Sequence, residues 1–234
     1  MIEYYNEDCM EGMKRYGDNY FDLIITSPPY NLGKQHHTGG KRFTPYNSYN
    51  DNLIETEYQN WQTEVLKECY RVLKDDGAMF YNHKNRIKDG VQISPYEWIL
   101  KTPFIVKQEI VWFNGSQNFD KCRFYPMTER IYWLQKGVKS HFQNNINKHD
   151  ICEWQAVGTD KEHKRAFPVK LVKDLLACFP QQGIVLDPFM GSGTTGIACY
   201  DMGFDAVGFE LDKDYYEASK KRLEEFMAQG RLFE

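Results

Sequence analysis

The sequence predicts an α/β protein: a doubly wound, mostly parallel sheet with an antiparallel hairpin at one edge and a circularly permuted order of its functional stretches. Three observations predict it. Apolar runs of strand length alternate with segments of helical period along the chain. Near the C-terminus, Gly183-Ile184-Val185-Leu186 leads through a glycine-rich turn into a helical segment, Thr194 to Met202, which is the strand–turn–helix order of a nucleotide site. The strand ending at Asp8 comes first, with no nucleotide unit before it, so the linear order of the fold reads as rotated. Chain ends that lie close together at a surface make such a rotation cheap.

The elements follow in order. Glu3 to Cys9 reads as a short strand closing on Asp8, and Glu11 to Tyr16 as a helical turn. Asp22-Leu23-Ile24-Ile25-Thr26 is a clearer strand that runs into Ser27-Pro28-Pro29-Tyr30-Asn31, where two prolines stop it and fix an extended corner. Leu32 to Leu53 reads as a polar, aromatic loop. Thr56 and Gln59 have the spacing of a capping box, and the helix they open carries Tyr58, Trp61, Val65, Leu66, Cys69, Val72 and Leu73 on one face. Asp75-Asp76-Gly77 reads as its stop and Ala78 to Tyr81 as the next strand. A short helix over Ser94–Leu100 precedes two strands, Phe104–Phe113 and Glu129–Gln135, which form the expected edge hairpin. Gly137 to Arg165 has no periodicity. Pro168 starts a helix, and after the glycine turn a last strand, Ala206 to Phe209, ends at Glu210 ahead of a charged helix from Lys213 to about Met227.

Two stretches carry chemistry. In Asp187-Pro188-Phe189-Met190-Gly191-Ser192-Gly193-Thr194-Thr195-Gly196, the glycines let backbone approach a ligand, and the helix start offers N–H groups to an anion. Glu210 follows Gly191 at about the 20-residue spacing at which an acid grips ribose hydroxyls. This pattern alone also fits a nicotinamide oxidoreductase, whose glycine motif usually opens the chain and has a substrate domain behind it; here there is no room for one. The second stretch, Ser27 to Tyr30, projects a hydroxyl and an aromatic ring from a rigid corner. Lys34, Lys41 and Arg42 in the following loop suit phosphate. His36 and His37 lack Cys or carboxylate partners at ligand spacing, so no metal is expected.

Composition bounds the rest. At 234 residues, 41% hydrophobic and 26% charged, the chain suits one domain with a sizeable core. No apolar run is long enough for a membrane span, and no secretory signal is visible at the N-terminus. Six scattered cysteines without a C-x-x-C pair read as free thiols in a reducing cytoplasm. A net charge of −4 gives no global argument for nucleic acid, so any basic surface must be local.

Taken together, Ser27-Pro28-Pro29-Tyr30 and Asp187-Pro188-Phe189-Met190-Gly191-Ser192-Gly193 resemble the amino-group DNA methyltransferases that use S-adenosylmethionine. The order of the two, proline stretch first, resembles their permuted beta class, and the match spans nearly the whole chain. Asp8-Cys9 resembles the family's motif near the cofactor adenine. Thr128-Glu129-Arg130-Ile131-Tyr132 with Lys136-Gly137 resembles the motif before target recognition, and His163-Lys164-Arg165-Ala166-Phe167-Pro168 the H-x-x-x-F-P motif on the cofactor side. One departure stands out: the recognition region is short, confined to 137–162 and the 32–53 loop.

The resemblance implies one Rossmann-like methyltransferase domain over 1–234, S-adenosylmethionine as cofactor and double-stranded DNA as partner. It implies cofactor contacts from Asp8, Thr26, His163, Phe167, Pro168, Asp187, Pro188, Phe189, Gly191, Ser192, Gly193, Thr194, Thr195 and Glu210, and catalysis by Ser27, Pro28, Pro29 and Tyr30. Lys34, Lys41, Arg42, Lys139 and Lys148 are the expected DNA contacts. A homodimer and a cognate restriction endonuclease are the further partners expected. In this reading Ser27 Oγ and the Pro28 carbonyl accept the two N–H bonds of an exocyclic amine, and Tyr30 stacks on a flipped base. No Pro-Cys pair exists for ring-carbon methylation. Serine before Pro-Pro-Tyr resembles the cytosine-N4 members; the hydroxyl could accept from N4 while donating to ring N3, with adenine N6 the alternative. Rival readings are a protein or RNA N-methyltransferase, which generally puts the glycine motif first, and a non-catalytic DNA-binding relative.

Overall fold

In a computed structural model of the chain, residues 1–32, 51–115, 123–154, 167–180 and 182–230 are described. The chain opens with β1 (Ile2–Tyr5), α1 (Cys9–Met13) and β2 (Phe21–Thr26). Then come α2 (Glu55–Val72), β3 (Leu73–His83), a small hairpin of β4 (Arg86–Lys88) and β5 (Val91–Ile93), and α3 (Tyr96–Ile99). The middle holds β6 (Ile105–Phe113), β7 (Thr128–Gln135) and β8 (Ile151–Cys152). The last part is α4 (Val169–Leu176), β9 (Ile184–Asp187), α5 (Thr194–Met202), β10 (Asp205–Phe209) and α6 (Lys213–Gly230).

The main sheet has the order β1-β10-β9-β2-β3-β7-β6-β8. β1, β10, β9, β2 and β3 run parallel, β7 is antiparallel to both β3 and β6, and β8 lies parallel to β6 at the edge. The period-two alternation of the strands divides their side chains between two cores. Ile24, Met79 and Tyr81 face one, with Tyr58, Leu66 and Cys69 of α2 and Trp98 of α3. Leu23, Ile25 and Phe80 face the other, with Leu171, Val172 and Leu176 of α4 and Ala198 and Cys199 of α5. The sheet is thus covered on both sides, as a mostly parallel sheet must be.

Several expectations change in detail. The first strand stops at Tyr5 because Asp8 caps α1, its Oδ1 accepting from the Met10 N–H at 2.8 Å. The capping box at Thr56 and Gln59 does not form: α2 already starts at Glu55, and Gln59 Nε2 donates to Glu55 Oε1 at 3.0 Å. Nor is Asp75-Asp76-Gly77 a helix stop. β3 begins at Leu73 with no intervening loop, and Gly77 lies inside it, where a Cβ would sit 2.8 Å from the Asp22 carbonyl. The β4–β5 hairpin turns at Asp89 and Gly90, both with positive φ (51° and 81°), the two-residue turn an Asp-Gly pair favours. The aperiodic segment after Gly137 is anchored: β8 joins the sheet, Phe142 and Ile146 pack on the second core, and the Gln143 N–H donates to the Cys178 carbonyl at 2.7 Å.

This topology places the functional stretches. The chain winds outward from β2 through β3 in one direction, and from β9 through β10 in the other. β9 and β2 therefore flank the switch point, where a doubly wound sheet opens a crevice at the carboxyl ends of its strands.

Candidate active site at the switch point

The glycine corner follows β9. Asp187, the last residue of that strand, is buried, and its carboxylate is wholly used by the protein. Oδ1 accepts from Thr26 Oγ1 at 2.7 Å and from the Phe189 N–H at 3.1 Å, while Oδ2 accepts from Thr195 Oγ1 at 2.6 Å. Burial raises its pKa to about 6 against the pull of those hydrogen bonds. Gly191 and Gly193 have φ of 50° and 74°, and Gly193 is the N-cap of α5, directly before Thr194. The corner is packed from behind. Tyr4 Oη donates to the Gly193 carbonyl at 3.0 Å, and a Cβ on Gly196 would overlap that hydroxyl. From α6, Arg222 Nη1 donates to the Ser192 carbonyl at 2.9 Å and reaches Ser192 Oγ and Thr194 Oγ1, each at 3.2 Å.

Glu210, just past β10, closes this corner. Its Oε2 accepts from the Gly191 N–H at 3.0 Å and its Oε1 from the Asp212 N–H at 2.8 Å. Burial first, then the charges of Asp212 and Asp187, raise its pKa to about 7 despite both N–H bonds. The carboxyl is thus pinned to the glycine turn it was expected to complement.

The proline corner follows β2. Pro29's carbonyl accepts from Tyr58 Oη at 2.7 Å, and His83 Nε2 stands 2.7 Å from the same hydroxyl. His83 is fully buried, which holds its pKa down at about 3 and keeps the ring neutral. The Tyr30 ring lies against His83, with centroids 4.4 Å apart. Ser27 Oγ is 2.9 Å from Tyr30 Oη, which donates to Glu129 Oε2 at 2.8 Å. Asn82 Nδ2 faces Tyr30 Oη at 2.8 Å, Glu129 Oε2 at 3.1 Å and Ser27 Oγ at 3.3 Å. Glu129 Oε1 takes Asn114 Nδ2 at 3.2 Å. The two corners are joined directly, because Thr26, bonded to Asp187, immediately precedes Ser27.

The structure therefore brings together Thr26, Ser27, Pro28, Pro29, Tyr30, Asp187, Pro188, Phe189, Gly191, Ser192, Gly193, Thr194, Thr195 and Glu210. It separates some of these by what their side chains do. Thr26, Asp187 and Thr195 spend their polar atoms on one another, so they shape the corner rather than present a free contact. Asp8 likewise spends Oδ1 on its helix cap. Phe167 packs in the second core and Pro168 is the N-cap of α4, both buried. Lys148 is drawn to Asp174 at 3.3 Å and lies over the Trp154 ring, so the structure holds it on the protein; Lys139 is exposed. Lys34, Lys41, Arg42 and His163 lie outside the described residues, as do most of the 32–53 loop and the end of the 137–162 segment. Among the described residues no helix is long and apolar enough to cross a membrane.

Sequence reasoning missed Tyr4, Asn82 and Arg222, and gave Glu129 no role. Their partners stand far away in sequence, so no local spacing marks them. A polar residue at the end of an apolar strand, such as Asn82 after Phe80-Tyr81, was the available signal.

Comparisons with known proteins agree with this geometry. The N6_N4_Mtase family model, described as DNA methylase, matches residues 21–221. The type II methyltransferase M.ScaI of Streptomyces caespitosus is 26% identical over 257 residues, covering 94% of this chain and 80% of the relative. The type II methyltransferase M.HinfI of Haemophilus influenzae is 29% identical over 250 residues, covering 93% of this chain and 67% of the relative. Among solved structures, the PvuII cytosine-N4-specific DNA methyltransferase superposes with a TM-score of 0.78 at 20% identity, covering 97% of this chain and 90% of that one. A complex of M1.HpyAVI with SAM superposes at 0.66, with 24% identity, covering 95% of this chain and 100% of that one.

Proposed function

The chain belongs to this family of DNA methylases, and on that premise we propose that it moves a methyl group from S-adenosylmethionine to an exocyclic amine of a DNA base, cytosine N4 in the first instance. The observation that carries the proposal is the junction of the two corners through the 2.7 Å Thr26–Asp187 bond, which sets Ser27 beside the glycine turn. The donor set fits the cofactor: a glycine turn with positive φ, a helix start at Thr194, and the Glu210 carboxylate aligned on that turn suit a nucleoside with an amino-acid tail. When bound, S-adenosylmethionine supplies a methyl group carried on a sulfonium. The chain's residues supply orientation. Ser27 Oγ and the Pro28 carbonyl accept the amine's two N–H bonds, which draws the nitrogen towards tetrahedral geometry and turns its lone pair to the methyl group; the N–C bond would form as the S–C bond breaks to leave a neutral thioether, and one of the two N–H protons would pass to solvent. Among the described residues the Pro28 carbonyl accepts no hydrogen bond, whereas Pro29's is taken by Tyr58. Tyr30, braced by His83, is the stacking surface for a base rotated out of the duplex.

The proposal extends to partners. The relatives carry the name type II methyltransferase, which supports a restriction endonuclease of the same specificity as a companion; a homodimer is the assembly proposed with it. Among the described residues, five buried free cysteines support a reducing compartment, the cytoplasm. Lys139 and, in the 32–53 loop, Lys34, Lys41 and Arg42 are the proposed duplex contacts. The test is to incubate the pure chain with S-adenosylmethionine and duplex DNA, then analyse the nucleosides by mass spectrometry. N4-methylcytosine is expected; N6-methyladenine in its place would change the base and keep the chemistry. Unmodified DNA, with no S-adenosylmethionine binding by calorimetry, would overturn the proposal.

A further inference from the structure

Hydrogen-bond direction at the proline corner is not free, and the residue that fixes it is Glu129. Its two carboxylate oxygens are met by three donors: Tyr30 Oη at 2.8 Å and Asn82 Nδ2 at 3.1 Å on Oε2, and Asn114 Nδ2 at 3.2 Å on Oε1. A carboxylate only accepts. Tyr30 has one hydroxyl proton, and Glu129 takes it. In the 2.9 Å contact between Ser27 Oγ and Tyr30 Oη, either oxygen could donate on distance alone, but with Tyr30's proton committed Ser27 must be the donor. Burial, and after it the charge of Glu129, push the Tyr30 phenol well above its usual range, so it does not ionise and reverse the chain.

Asn82 agrees with this direction. Its amide nitrogen faces the oxygens of Ser27, Tyr30 and Glu129, while its Oδ1 is buried and, among the described residues, has no partner. Turning the amide over would oppose Oδ1 to the Glu129 carboxylate, two acceptors face to face. Leaving a buried acceptor unpaired is costly, and Glu129 gives the reason it is tolerated.

We propose that Glu129 is a positioning residue which, by fixing the donor direction Ser27→Tyr30→Glu129, commits the Ser27 proton to Tyr30 and leaves Ser27 Oγ only lone pairs to offer the target amine. The proposal rests on Ser27 being the acceptor of the target amine. It also withdraws one argument for cytosine: a Ser27 hydroxyl committed to Tyr30 does not donate to cytosine N3. Choice between cytosine N4 and adenine N6 then falls to residues other than Ser27.

A double-mutant cycle on the full chain tests this, using Glu129→Gln, Tyr30→Phe and the pair in single-turnover methyl transfer to duplex DNA. Affinities for S-adenosylmethionine and for DNA are measured separately, and melting checks the fold. Glutamine keeps the shape but can donate to Tyr30 and reverse the chain. Glu129→Gln is expected to bind both substrates within about twofold of wild type and to transfer about 30-fold more slowly, with no recovery at higher substrate concentrations. Because Glu129 acts through Tyr30, adding Glu129→Gln to Tyr30→Phe is expected to cost less than about threefold more. A wild-type rate in Glu129→Gln, a loss recovered by raising either substrate, or full additivity in the cycle would overturn the proposal. If Glu129→Gln does not fold, Tyr30→Phe alone decides: slow transfer with binding intact is expected, and a wild-type rate contradicts it. Wild-type protein inactive on DNA would instead sink the functional reading beneath, a distinct result.

Discussion

The two corners at the switch point are built in opposite ways. At the glycine corner the side chains face inward: Asp187 holds Thr26 and Thr195, while Tyr4 and Arg222 brace the turn from behind. What that corner offers a ligand is backbone, bounded by one carboxylate, Glu210. At the proline corner the backbone is fixed by two prolines and the Tyr58 bond to Pro29, and what is offered is the Pro28 carbonyl together with side chains: a hydroxyl, a ring and the polar chain behind them. Backbone recognition suits a cofactor that is the same in every turnover. Acceptors of fixed direction, one hydroxyl and one carbonyl, suit the reacting nitrogen, where a small change in lone-pair orientation decides the rate. The division predicts that lesions at one corner read out in binding and lesions at the other in chemistry.

The largest expected effect is at the proline corner. Ser27→Ala removes one of the two proposed acceptors for the amine, and kcat is expected to fall about 100- to 1,000-fold, by analogy with loss of one transition-state hydrogen bond. Calorimetry should find cofactor affinity unchanged; retained turnover would mean Ser27 is not the acceptor.

At the glycine corner, Glu210→Ala is expected to weaken S-adenosylmethionine binding by about 1.5–3 kcal/mol, the worth of a charge-assisted hydrogen bond. Titration calorimetry measures it directly, and an unchanged Kd removes Glu210 from the site.

Glu210 also ties the fold to pH. Its folded pKa, about 7, lies above its ordinary value of 4.5, so the folded chain holds this proton more tightly than the unfolded chain does. Its contribution to stability is therefore fully present below pH 4.5 and is lost as pH rises through about 7, a change of about 3 kcal/mol. Denaturant melts from pH 4.5 to 8 should show wild type losing stability relative to Glu210→Gln over that window. Parallel curves would contradict the buried carboxyl.

A smaller effect is expected behind the turn. Gly196→Ala puts a methyl group against the Tyr4 hydroxyl and is expected to cost about 1–2 kcal/mol of stability as overpacking. Thermal melting reports the loss, and kcat at saturating cofactor should not move, since the Tyr4 hydroxyl that the methyl group meets bonds the Gly193 carbonyl of the glycine corner.

Both corners were legible in the sequence because each is a local pattern. The boundaries of α5 were readable as Thr194 to Met202, and the strand before Ser27 to within one residue, since a glycine turn and a Pro-Pro pair punctuate the chain sharply. What holds the corners was not legible. Arg222 reaches Ser192 from thirty residues away, and Glu129 reaches Tyr30 across ninety-nine. The turn between α2 and β3 was misplaced because Asp75-Asp76-Gly77 has helix-stop chemistry, yet tertiary pairing with β2 extends the strand through it. Asp8 was read as the end of a strand because a capping residue after an apolar run looks the same as a strand terminus.

The most direct test of the division between the corners is the dependence of the single-turnover methyl-transfer rate on S-adenosylmethionine concentration, measured on duplex DNA for Glu210→Ala and Ser27→Ala side by side. The prediction is that Glu210→Ala climbs back to within about threefold of the wild-type rate at saturation, whereas Ser27→Ala stays at least about 100-fold slow at every concentration. A Ser27→Ala enzyme rescued by cofactor, or a Glu210→Ala enzyme that saturates at a low rate, would contradict it.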